Sequence, residues 1–110
     1  MGFVKKVTAD EEYQGESYTL SYFKTSGEIW SSNETGYFEM IDRDGEIVSN
    51  GDLTKSGDNL SLTFMIPKAD TASIIGIHTI YSHVTHVDDT TFDDIMGVAN
   101  VIYMEKKPSS

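Results

Sequence analysis

The chain has 110 residues, with 8 Lys and Arg against 18 Asp and Glu, a formal charge of -10 at pH 7 and no cysteine. That length suits one domain with a real hydrophobic core, and the charge repels phosphate backbones and anionic headgroups, so neither nucleic acid nor membrane is an expected partner. The lack of thiols excludes disulfides, a thiolate nucleophile and a thiolate metal site. At the start, Met1-Gly2-Phe3-Val4-Lys5-Lys6-Val7 leads into Asp10, Glu11 and Glu12 instead of an apolar run, so it does not read as a secretory signal. Lys6 stands where a myristoylation motif wants Ser or Thr. No apolar run approaches the roughly 20 residues needed to cross a bilayer.

Residues 16–23 alternate, with Tyr18, Leu20 and Tyr22 facing one way and Ser17, Thr19 and Ser21 the other, which predicts a half-buried strand. Ser26-Gly27 and the polar run 31–34 bracket Ile29 and Trp30, a brief strand or part of a long loop. Residues 36–42 read as a strand; Asp44-Gly45 then supplies residues that tolerate positive φ in a tight hairpin turn before Glu46-Ile47-Val48 runs back. Asn50-Gly51 and Ser56-Gly57-Asp58-Asn59 mark two further turns around Asp52-Leu53-Thr54, a piece long enough only for an edge strand. Leu60, Leu62, Phe64 and Ile66 share one side of a strand that ends at Pro67. Residues 68–73 are the one place where a helical turn is expected. Residues 76–87 are rich in β-branched and aromatic side chains and should pair, through the acidic loop 88–91, with a final run over 92–105. That last run is apolar on both faces, so it is either central or covered from outside, and its alternate positions Met96, Val98, Asn100, Ile102 and Met104 are the candidate interface. The fold class is therefore all-β: a single antiparallel β-sandwich over residues 1–105 with at most one short helical turn, followed by a flexible tail at 106–110.

No catalytic constellation can be assembled: Ser and His occur without a motif that joins them, and no Gly-rich loop opens a helix. An enzyme is not expected, nor is a cofactor. His78, His83 and His86 lie in one strand, where residues three apart point to opposite faces, so His83 and His86 do not share a metal. Asp88, Asp89, Asp93 and Asp94, or Asp42, Asp44 and Glu46, could collect calcium at a loop, but neither set follows the EF-hand order, and turn geometry or solvation explains them more simply. Trp30, in its polar surroundings, is the candidate ligand contact for a sugar or peptide, against the plainer reading of a core cover. Asn33-Glu34-Thr35 and Asn59-Leu60-Ser61 are glycosylation acceptors only in a secreted chain.

The succession Gly15-Glu16-Ser17-Tyr18-Thr19-Leu20, then Gly36-Tyr37-Phe38-Glu39-Met40-Ile41-Asp42-Arg43-Asp44-Gly45, then Leu60-Ser61-Leu62-Thr63-Phe64-Met65-Ile66-Pro67, then Gly76-Ile77-His78-Thr79-Ile80-Tyr81 resembles the amino-terminal immunoglobulin-like domain of tailed-phage upper baseplate proteins. The resemblance covers most of the chain by pattern more than by identity. It implies an immunoglobulin-like sandwich, a structural role in a phage or prophage tail or baseplate, other virion proteins or a second copy as partners, and location in the virion after a cytoplasmic stage. The family's domain usually begins a longer protein, whereas this chain stops soon after its last strand. A carbohydrate- or ligand-binding module using exposed aromatics is the alternative, and an acidic regulatory domain that binds a basic partner is a third reading.

Overall fold

In the computed structural model, which describes residues 6–106, the elements follow in the order β1 (Lys6–Tyr13), β2 (Tyr18–Phe23), β3 (Glu34–Ile41), β4 (Ile47–Asp52), β5 (Thr54–Lys55), β6 (Ser61–Ile66), α1 (Lys68–Thr71), β7 (Gly76–His86) and β8 (Asp89–Met104). The expectations for residues 1–5 and for 107–110 of the tail lie outside the described residues; Lys106 donates its backbone N–H to Gln14 Oε1 at 3.0 Å. One sheet has the order β1-β8-β7-β3-β4 and the other β2-β6-β5. Neighbours are antiparallel except β1 and β8, which run parallel from Lys6 beside Gly97 to Tyr13 beside Met104. Two facing sheets with this division of strands make an immunoglobulin-like sandwich, the fold class expected, with the parallel β1 edge as an addition.

Alternation builds the core as read from the residues. Leu62, Phe64 and Ile66 of β6 and Met40 and Ile80 of the opposite sheet have no exposed surface, and the Phe64 ring lies 5.0 Å from that of Phe38. Leu60 departs from the expectation: Asn59 turns the backbone at φ 61°, the strand starts only at Ser61, and Leu60 stays 36% exposed. The Asp44-Gly45 turn closes the β3–β4 hairpin, where Asp42 Oδ1 accepts the N–H groups of Asp44 (2.9 Å) and Glu46 (3.0 Å) and Gly45 adopts φ 84°. The single helical turn is α1, tied to the β1–β2 connection by Thr71, whose hydroxyl donates to the Glu16 carbonyl at 2.9 Å.

Three sequence expectations are corrected. Asn50-Gly51 is no turn but part of β4; Gly51 is there because a Cβ would approach the Phe38 ring to 3.1 Å. Asp52-Leu53-Thr54 is not one edge strand: Leu53, buried and held by its N–H to the Gly36 carbonyl at 2.9 Å, is where the chain leaves one sheet (β4) for the other (β5). The loop 88–91 shrinks to a two-residue turn, since Asp89 already belongs to β8, and Asn33 pins that turn by accepting from the N–H groups of Val87 (2.8 Å) and Asp88 (2.9 Å). Lys6–Tyr13 was not expected as a strand, because its acidic run hides the alternation of Val7, Ala9 and Tyr13. It lies along β8 and makes that strand an interior one, which accounts for apolar side chains on both of its faces.

Candidate functional site

The outer face of the five-stranded sheet is built row by row from the register. Val7, Val98, Tyr81 and Glu39 lie side by side across β1, β8, β7 and β3. The next row is Ala9, Asn100, Thr79, Ile41 and Ile47, and the next Glu11, Ile102 and Ile77. Strands 4.7–4.9 Å apart bring such row partners into contact. Val7 is 73% exposed, Ile77 58%, Ile47 52% and Ile102 43%. Thr79 donates to Asn100 Oδ1 at 3.1 Å in the middle of this apolar surface. Beside it Ala9, Asp10, Glu11, Ile77, Asn100 and Ile102 line an open depression of about 580 Å³. The charged residues that the register places on this face, among those described, are Glu11, Glu39, Asp52 and Asp93; His83 is the one basic side chain with them.

Of the candidate interface residues, Val98, Asn100, Ile102 and Met104 stand on this outer face, and Met96 does not. A bulge pairs Gly97 with Ser82 and Ile95 with His83, leaving Met96 unpaired and turned into the core, where it is 1% exposed. Trp30 is corrected too: it is 1% exposed, its indole N–H donates to the Tyr22 carbonyl at 3.2 Å, and the Lys24 ammonium lies 5.3 Å over its ring. A side chain covered in this way offers no face to a sugar. The polar neighbours in sequence misled, because the backbone of Trp30 is drawn inward by its N–H bond to the Asn59 carbonyl at 2.8 Å.

At the far end of the outer face, Tyr37 and His83 stack with centroids 4.3 Å apart and planes at 5°. Asp93 joins them, accepting from the Tyr37 hydroxyl at 2.7 Å and lying 2.7 Å from His83 Nδ1, while Glu39 sits 3.3 Å from His83 Nε2. The Tyr37 hydrogen bond holds the Asp93 carboxyl below its ordinary range, with burial opposing it and His83 adding to it. Burial first, then Asp93, pushes the Tyr37 phenol up to about 12. The sequence reading missed this cluster, whose members lie on three strands; the signal available was that Tyr37, Glu39 and His83 each occupy an outward position of an alternating strand.

The three histidines are kept apart. His78 packs edge-on to Tyr103 at 5.6 Å, and His86 stacks on Phe92 at 3.9 Å. Among the described residues no group of three His, Cys, Asp or Glu side chains is placed to hold a metal ion. Of the acidic residues weighed for calcium, Asp89, Asp42 and Asp93 have local partners: Asp89 Oδ1 accepts from the Thr91 N–H and hydroxyl, Asp42 serves its hairpin turn, and Asp93 belongs to the Tyr37–His83 cluster.

No family model matches the chain, and no curated protein does. Solved structures with a similar fold include CopC from Methylosinus trichosporium OB3b, 15% identical, covering 97% of this chain and 90% of that one with a TM-score of 0.54. Fibronectin(III)-like modules of Clostridium thermocellum CbhA are 13% identical over 97% of this chain and 100% of theirs, with a TM-score of 0.49. The extracellular domain of the voltage-gated sodium channel beta4 subunit, described as a parallel homodimer, is 14% identical over 94% of this chain and 96% of its own, with a TM-score of 0.46. At these identities the likeness concerns the fold alone.

Proposed function

We propose that this chain is a non-enzymatic docking module that binds a protein partner through the outer face of its five-stranded sheet. The observation that carries the reading is the set Val7, Ile47, Ile77 and Ile102, all more than two-fifths exposed on one sheet face. Contiguous apolar surface of that kind marks interaction sites. Glu11, Glu39, Asp52 and Asp93 set the chemistry of the partner: an apolar centre with basic residues around it. A second copy applied face to face would set carboxylates against carboxylates, and the formal charge of -10 on each chain opposes that approach.

The test is a photo-crosslinking amino acid placed at Ile77 or Ile102, with Phe23 on the opposite sheet as the control. One protein should be captured from the first two positions and not from Phe23, and its affinity for the purified chain should fall at least about thirtyfold with Ile77→Glu, the loss of a central anchor. Equal capture from all three positions, or unchanged affinity, refutes the reading. The phage-virion setting rests on the sequence resemblance alone; mass spectrometry of purified particles that lack this chain would remove it. The carbohydrate alternative loses its main residue with Trp30 in the core.

A further inference from the structure

The inner side of the β1 edge, which faces β2, collects three carboxylates. The register turns Asp10 and Glu12 of β1 inward beside Val101 and Tyr103, and Glu16 follows in the turn to β2. Asp10 accepts a hydrogen bond from the Tyr18 hydroxyl. Glu12 is pushed above the usual carboxylate range by burial and then by the charges of Glu16 and Asp10. No Lys, Arg or His among the described residues forms an ion pair with any of them. Lys6, further along β1, lies instead 5.9 Å over the Tyr22 ring. A second observation points the same way. Tyr103 is 1% exposed, its hydroxyl has no hydrogen-bond partner among the described residues, and it lies close enough to Glu12 to feel that charge. A buried hydroxyl with no partner among the described residues, beside carboxylates that no described cation pairs, is a site short of a cation that donates hydrogen bonds.

We propose that this inner edge forms a slot for a guanidinium, the side chain of an arginine on an extended partner segment that pairs with the edge of β1. A metal ion needs ligands converging to between about 2.0 and 2.6 Å, and no described trio is placed for that. A guanidinium is broad and planar, carries five donors, and tolerates aromatic neighbours such as Tyr18 and Tyr103. The segment is extended because β1 ends its sheet with no strand on its far side among the described residues. Side chains of an added strand alternate: one set enters the slot beside Asp10 and Glu12, and the other meets the outer depression beside Ala9 and Glu11. The partner is thus read as an alternation of arginine and apolar residues. The proposal rests on the docking reading for the partner being a protein, and it deepens that reading by naming what the partner presents.

The probe is the peptide acetyl-Val-Arg-Val-Arg-Val-amide titrated into the whole chain and followed by NMR, with glutamine in place of both arginines as comparator. The expected result is shifts along β1 and at the Tyr103 ring, a fall in the Glu12 pKa on binding, and affinity about tenfold lower for the glutamine peptide and for Glu12→Gln. Equal binding of the two peptides, or none of the arginine peptide at millimolar concentration, overturns the proposal. If the peptides bind alike while Ile77→Glu still abolishes capture of the protein partner, only the slot is refuted. If the arginine preference persists while Ile77→Glu leaves partner binding intact, only the outer-face reading is.

Discussion

Gly97 shows how one residue type is dictated by a contact far away in sequence. A Cβ there would lie 2.3 Å from Cε1 of Tyr22, a buried ring whose hydroxyl accepts from Ser82 at 2.9 Å and so cannot easily retreat. Gly97→Ala should therefore destabilise by about 1–3 kcal/mol in a denaturant melt, the usual cost of overpacking, and pairing it with Tyr22→Leu should recover part of the loss. Leu62→Ala, which empties a fully buried site, should cost about 2–5 kcal/mol; no change would remove Leu62 from the core. Glu12 makes a prediction with a sign. Its pKa is raised in the folded state by burial and then by Glu16 and Asp10. The folded chain thus holds that proton more tightly than the unfolded chain does, and stability falls as pH rises from the ordinary carboxylate range through the raised value. Glu12→Gln should flatten that decline and raise the melting temperature at neutral pH, as thermal melts from pH 4 to 8 would show.

At the level of elements, the β3–β4 and β7–β8 hairpins and the β6 strand were legible because each has its own period-two pattern and its own turn residues. β1 was not, since Asp10, Glu11 and Glu12 interrupt the apolar alternation of Val7, Ala9 and Tyr13; it is a strand because β8 provides a parallel partner for all eight residues. The pairing of β8 with β7 explains the misplacement of Met96: a pattern count puts it with Val98 and Asn100, whereas the bulge opposite Ser82 and His83 reverses its direction. Deleting Met96 should remove the bulge while Ile95 stays opposite His83 and Gly97 opposite Ser82, so the outward set of β8 keeps its face and the loss is that of one buried side chain. A lower denaturation midpoint with cooperative unfolding retained, a loss of about 2–5 kcal/mol, is the expected outcome, and an unchanged melt would remove Met96 from the core.

For the whole molecule, charge and surface act together. The formal charge of -10 and an outer face whose carboxylates outnumber its one histidine make partner association depend on salt. Raising the ionic strength from 0.05 to 0.5 M should slow association more than it speeds dissociation. An association rate indifferent to salt would mean the acidic rim takes no part. The residues alone were enough to establish an all-β sandwich and turns such as Asp44-Gly45, because alternation and turn chemistry are local. Which apolar residues stay outside, where Trp30 goes, and how Tyr37, His83 and Asp93 come together depended on the stacking of strands distant in sequence. Register is a property of pairs of strands, and a single strand's pattern carries no record of its neighbour.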